Sequence, residues 1–218
     1  MAEQKVSHNS FSISEAIRFG WQVATKNIWF FVALILISEG ISQIISFIYN
    51  NLLANGDMLV RLLGVIVFVI GWVINIEISF ATFVIYFKFV DKKKTSLKDL
   101  FAYFETKLLW RYFVVSTIQG FIIILGLLLF IYPGIYFATK YWFANNIYVD
   151  KRTGIIESFK ESAELTKGIK RKLFLFGLVQ ILVSLAGLLA VVVGLFVAIP
   201  ITYLSDIYVY RKVSKTLK

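Results

Sequence analysis

The stretch IYFATKYWFANNIYV, residues 135–149, settles how many times the chain is expected to cross a membrane. The segment after it is basic, with seven Lys and Arg residues between Lys151 and Lys172. The segment before it is an apolar run over residues 111–132, long enough to cross a bilayer at roughly 20 residues per crossing. Had the chain stayed on the far side after Tyr132, those seven cations would face outward, against the excess of Lys and Arg that helical membrane proteins keep in cytoplasmic loops. The stretch is therefore expected to return through the membrane, although it is short and rich in the Tyr, Trp and Phe that settle at interfaces. Pro133 and Gly134 supply the turn before it, because proline blocks helix continuation and glycine accepts turn dihedrals.

The composition fixes the solvent. A 218-residue chain that is 59% hydrophobic, with mean hydropathy +0.78, carries more apolar surface than a small soluble fold can hide. Apolar blocks over residues 28–50, 59–88, 111–132 and 172–212 are each long enough to span, and the last is long enough for two crossings. The first begins too late and runs too long for a signal-peptide core, so it is expected to remain as a span. Of 23 basic residues, all but Arg61 and Lys140 precede residue 28 or lie within 88–111, 151–172 and 211–218. This sorting predicts an all-α, polytopic membrane bundle of six transmembrane helices in three hairpins, over residues 28–50, 59–88, 111–132, 134–150, 172–192 and 194–212. Both termini are then cytoplasmic, with a polar tail at 1–11 and one integral membrane domain at 12–218. Four spans with re-entrant aromatic segments form the rival arrangement.

Three segments of helical period precede the hairpins, at residues 12–26, 96–108 and 153–167. Their apolar faces are Ile13, Ile17, Trp21 and Ala24; Leu97, Leu100, Phe101, Phe104 and Leu108; and Ile155, Ile156, Phe159 and Ala163. Ser12 with Glu15, Ser96 with Asp99, and Thr153 or Gly154 with Glu157 have the spacing of capping boxes. They are expected to be amphipathic interfacial helices on the cytoplasmic side, each opening one unit of a threefold repeat.

Ionisable residues inside apolar spans need a reason, since a charge in hydrocarbon costs a few kcal/mol even on insertion scales. Glu39, Glu77, Lys140 and Asp206 qualify. Glu39 continues as a polar stripe through Ser42, Gln43, Ser46 and Asn50; Lys140 is expected at a similar outer depth, where the two could pair; Asp206 is expected to snorkel or meet Arg211. Small residues on α-helical spacing, Gly64 and Gly71, then Gly177, Ser184, Gly187 and Gly194, predict close helix packing, with a homodimer seam open.

Cysteine is absent and His8 is the single histidine, which excludes disulfides, thiol nucleophiles and thiolate metal sites and leaves no metal or other cofactor to expect. The net charge of +10 is read as topology and anionic lipid, not nucleic acid. Arg18, Lys26, Lys92, Lys93, Lys94, Lys98, Lys107, Lys151, Arg152, Lys170, Arg171 and Lys172 are the expected contacts to lipid headgroups or to a membrane protein partner. With no nucleophile or acid–base set in view, the chain is expected to be a non-enzymatic accessory or organising protein in lipid or envelope homeostasis. The alternative is a small ion- or proton-coupled transporter or channel using Glu39, Glu77 and Lys140.

One passage, PGIYFATKYWFANNIYVDKRTGIIESFKESAELTKG over residues 133–168, resembles a family of six-helix bacterial and archaeal membrane proteins of unknown function. It includes the membrane domain found beside glycerophosphoryl diester phosphodiesterases. The resemblance rests on Pro133, Gly134, Tyr136, Tyr141, Asp150, Glu157, Ser158, Ser162, Thr166, Lys167 and Gly168. It implies a prokaryotic cell-membrane location and the six-helix fold, and no catalysis, because the phosphodiesterase chemistry belongs to a separate barrel with acidic and histidine ligands. The same residues also read directly: Asp150 ends the fourth helix, and Lys167 with Gly168 closes the third interfacial helix with a cation and a permissive cap.

Overall fold

The computed structural model describes residues 11–190 and 193–215. Over them the chain is helical: α1 (Ile13–Lys26), α2 (Ile28–Asn55), α3 (Met58–Val90), a 3-10 turn (Leu97–Phe101), α4 (Thr106–Leu129), α5 (Ile131–Lys140), α6 (Ala144–Lys151), α7 (Ile155–Leu165), α8 (Lys170–Leu189) and α9 (Val193–Lys215). Within the described residues no strand forms. Four helices are long and apolar enough to cross a membrane, over Ile28–Ala54, Met58–Val90, Thr106–Leu128 and Lys170–Leu189.

These helices pair as hairpins because small residues let their backbones approach. In α2/α3 the Asp57 carboxylate caps α3 by accepting from the Val60 amide at 3.0 Å. Farther along, a Cβ on Gly71 would collide with the Ile45 side chain, so glycine is what admits that branch. In α4/α5 the contacts step down together: Gly126 lies against Gly134, the Gln119 amide donates to the Tyr141 carbonyl at 2.9 Å, Ser116 to Asn145 at 3.0 Å, and Tyr148 Oη to the Leu108 carbonyl at 2.9 Å. The run from α5 into α6 therefore travels antiparallel to α4 from Gly126 back to Leu108, about 27 Å of α4 at the helical rise. In α8/α9, Gly187 meets Gly194 and Ala198, and Gln180 donates to the Thr202 carbonyl at 3.1 Å.

The molecule has two unlike ends. Large exposed apolar side chains crowd α2 from Leu36 to Leu53, α3 from Met58 to Val73, α4 and α5 from Phe121 to Tyr136, and α8 from Leu175 to Leu189. The buried core gathers at the other end, from Ile78 to Phe87 on α3, Phe143 to Val149 on α6, Leu173 and Phe176 on α8, and Ala198 to Val213 on α9. α9 is the spine of that end: it packs on α8, α3 and α2, and α1 crosses it where Gly20 sits against the Ile201 carbonyl and Ser205.

Several expectations need correction. The fourth segment is not one helix, since residues 141–143 break it into α5 and α6. The turn ahead of it falls at Phe130, which is extended at φ −165°; Pro133 lies inside the first turn of α5, where its missing amide costs nothing. Of the three interfacial helices, the first and third form as α1 and α7. The second shrinks to the 3-10 turn, because Asp99 takes the Ser96 amide, Thr95 and Lys88 together and folds the chain tightly.

The buried faces also differ from the apolar readings. α1 buries Ala16, Gly20 and Ala24 and leaves Trp21 exposed, as close packing on α9 selects small residues. α7 buries Ser158, Ser162 and Leu165 and exposes Ile156. Phe11, assigned to the polar tail, is buried edge-on against Phe176. The rest of that tail, with His8, lies outside the described residues, as does the end of the 172–192 span.

Candidate functional site

Polar side chains gather where the exposed apolar hairpins meet the buried end. On one side, α2 and α3 present Glu39, Ser38, Ser42, Asn75 and Ser79 to a cavity of about 240 Å³ that is also walled by Tyr86, Tyr112 and Tyr203. The Asn75 side chain holds its own helix at the Gly71 carbonyl, 2.9 Å away, and accepts from Ser42 at 2.5 Å, so the stripe that begins at Glu39 points partly inward. Gln43 is exposed and does not line this chamber. Phe83 and Tyr203 separate this chamber from a second of about 380 Å³, floored by Gln119, Asn145, Asn146 and Asp206.

The break between α5 and α6 builds that second floor. The regular helical ladder is interrupted across residues 141–143, where the Ala144 amide reaches only three residues back to the Tyr141 carbonyl, and α7 with its C-cap Thr166 supplies partners there. The Phe143 amide donates to Ser162 Oγ at 3.1 Å, while Ser162 and Thr166 donate to the Lys140 carbonyl at 3.3 and 3.0 Å. The kink turns Trp142 and Asn146 toward α9, where the Trp142 indole donates to Asp206 Oδ1 at 2.5 Å and Asn146 to Oδ2 at 2.9 Å. Asp206 thus meets these two groups and not Arg211.

Arg211 instead joins two helix ends. Its guanidinium donates to Asp91, the C-cap of α3, at 2.9 and 2.7 Å, and to Asp150 in the last turn of α6 at 2.7 Å. A cation at two helix C-termini is favoured by both dipoles as well as both carboxylates. Tyr210 Oη adds a bond to Asp150 at 2.9 Å.

The three residues assigned to a transport path are not brought together. Glu39 is exposed in the first chamber; Glu77 is fully buried beneath the backbone of Tyr103, with neither carboxyl oxygen in hydrogen-bond geometry. Lys140 stands in the other hairpin, 5.0 Å over the Tyr141 ring and at the level of α7. No ion pair joins Glu39 to Lys140 among the described residues.

No family model, no curated protein and no solved structure matches the chain, so the geometry carries the functional reading.

Among the expected contact cations, Arg18, Lys26, Lys92, Lys93, Lys94, Lys98, Lys107, Lys151, Arg152 and Arg171 are exposed, and Lys170 and Lys172 are half-buried. Lys151 pairs with Glu161, Lys93 lies 3.7 Å from Asp91, Lys170 stacks 4.1 Å over Tyr136, and Lys172 5.3 Å over Phe11. Arg18 and Lys172 flank a surface cleft with the exposed Trp21. Lys167 pairs with Glu164, and Gly168 takes φ 78°, the left-handed conformation that suits glycine after a helix.

Sequence reasoning missed Gln119, Asn145, Asn146 and Trp142. The available signal was two adjacent asparagines inside an apolar aromatic stretch, since buried amides ask for partners. Among the described residues no three His, Cys, Asp or Glu side chains gather to hold a metal.

Proposed function

We propose that the chain is a non-enzymatic, six-span protein of a prokaryotic cell membrane. Both termini are cytoplasmic, and the basic inner face holds anionic lipid headgroups in an accessory role in lipid or envelope homeostasis. The observation that carries this reading is the Arg211 clamp. By binding Asp91 and Asp150 together it fixes the ends of α3 and α6 side by side, so Lys92, Lys93, Lys151, Arg152, Lys212 and Lys215 share one end. The antiparallel register of α5 and α6 along α4 supports the fourth crossing, since it carries the chain back to the level of Leu108. Trp21 beside Arg18 and Lys172 is the pairing of aromatic and cation that suits a headgroup region. The six-helix family resemblance is consistent with this layout and is part of the proposal.

Each lysine near an anionic surface is worth about 1 kcal/mol. Replacing Lys92, Lys93 and Lys94 by Gln should therefore cut retention of phosphatidylglycerol by at least about tenfold, with the loss largest at low salt. Lipid analysis of the purified protein checks this; unchanged retention and no salt dependence contradict it. The transport reading keeps one supporting observation, the Glu39 chamber. It requires Glu39→Gln to abolish ion flux in proteoliposomes.

A further inference from the structure

The hairpins α4/α5 and α8/α9 enclose a cleft with two unlike parts. The wider part, about 650 Å³, has apolar walls that include Ile123, Leu127, Ile135, Ile181 and Leu185. Ile181 and Leu185 are half exposed, so this part opens on the apolar outer surface. Through Ala138, Trp142, Gln180 and Thr202 it continues into the chamber floored by Gln119, Asn145, Asn146 and Asp206. No Lys or Arg lines either part among the described residues.

The floor carries one carboxylate among neutral amides and no cation. Asn145 donates to Gln119 Oε1 at 2.7 Å, Gln119 to the Tyr141 carbonyl, and Gln180 to the Thr202 carbonyl. Asp206 accepts one bond on each oxygen, whereas a carboxylate has about four lone-pair sites. No ion pair reaches it among the described residues. A carboxylate at the base of an apolar cleft asks for a donor that brings positive charge with it. An ammonium brings three N–H groups; a trimethylated amine brings none, and an anionic headgroup is repelled.

We infer that this cleft holds a membrane amphiphile whose headgroup carries a primary ammonium, seated on the free lone pairs of Asp206 with its acyl chain along the apolar wall. From Gln119 to Leu127 that wall runs about 12 Å along α4, enough for the upper part of a chain. The inference rests on the proposed placement of these hairpins in the bilayer, and it is independent of headgroup binding at the basic face.

The full-length protein in detergent is mixed with equal amounts of dioleoyl phosphatidylethanolamine, phosphatidylcholine and phosphatidylglycerol, and retained lipid is counted by native mass spectrometry. The ethanolamine lipid is expected to exceed the choline lipid about tenfold, the scale of one charge-assisted hydrogen bond. Asp206→Asn removes that preference and leaves phosphatidylglycerol retention unchanged. Equal retention of the ethanolamine and choline lipids, or a preference that survives Asp206→Asn, overturns the site. If Asp206→Asn fails to fold, Ala138→Phe fills the neck without altering the carboxylate: loss of the preference supports the site and its persistence overturns it. Loss of phosphatidylglycerol retention alone in the Lys92, Lys93 and Lys94 variant concerns the basic face and leaves this cleft standing.

Discussion

Arg211 grips Asp91 with two parallel bonds, Nε to Oδ1 at 2.9 Å and Nη2 to Oδ2 at 2.7 Å, while its remaining nitrogen reaches Asp150. One side chain near the end of α9 thereby ties the end of α3 to the end of α6. Only arginine offers this planar fork, so Arg211→Lys keeps the charge and loses the second carboxylate. Arg211→Ala leaves two half-buried carboxylates facing each other and should cost roughly 3 kcal/mol, with Arg211→Lys intermediate. Thermal unfolding of the purified protein in detergent checks the order; equal stability of all three contradicts the clamp.

The crossing of α1 over α9 admits no side chain. A Cβ on Gly20 would collide with Ser205 Oγ and lie 2.6 Å from the Ile201 carbonyl, and a backbone oxygen cannot swing aside. Gly20→Ala should destabilise by about 1–3 kcal/mol and open α1 to proteolysis. Ser205→Gly in the same chain should fail to restore stability, because the Ile201 contact remains.

At the break between α5 and α6, Ser162 and Thr166 are not equivalent. Ser162→Ala orphans the buried Phe143 amide and should cost about 1–3 kcal/mol. Thr166→Val removes one of two hydroxyl donors to the Lys140 carbonyl, which keeps Ser162, and should cost less. Hydrogen exchange at Phe143 reports the difference: it accelerates in the serine variant and stays near wild type in the threonine variant.

Acid should release the turn between α3 and α4. Burial pushes the Asp99 carboxyl up, but Lys88, the Ser96 amide and Thr95 together outweigh it and hold the group below its ordinary value of 3.8. A carboxylate depressed on folding contributes stability above its unfolded pKa and loses it as pH falls through the folded one. The stability advantage of wild type over Asp99→Asn should hold at neutral pH and decline once the pH drops below about 4. An advantage independent of pH contradicts the assignment.

The apolar periods made the hairpins legible, and the distribution of cations made their ends legible. The break at residues 141–143 was not. No glycine or proline marks it within YWF, and it exists because hydroxyls 19 and 26 residues later, on α7 and its C-cap, take over the backbone bonds. A helix can stop mid-sequence wherever tertiary donors and acceptors replace its own, and local propensity carries no trace of that.

The second interfacial helix failed for a related reason. Phe101 and Phe104 read as an apolar face, yet Asp99 is drawn to Lys88 on α3 and both phenylalanines remain exposed. In α1 the large apolar residues suggested the buried face, whereas the close crossing at Gly20 chose the small ones. The polar floor around Asp206 needed the kink before its members could meet. Asp206 was visible as an anomaly, but its partners are 60 and 64 residues away in sequence.

A return through the bilayer after Tyr132, as proposed, brings the basic stretch after Asp150 to the inner face. The absence of cysteine makes the test clean, since a single introduced thiol is the only one present. Lys160→Cys and Asn51→Cys, each exposed, are labelled in intact cells and in inverted membrane vesicles with a membrane-impermeant maleimide. Residue 160 is expected to react only in inverted vesicles and residue 51 only in intact cells. Labelling of residue 160 from outside intact cells would contradict the return crossing.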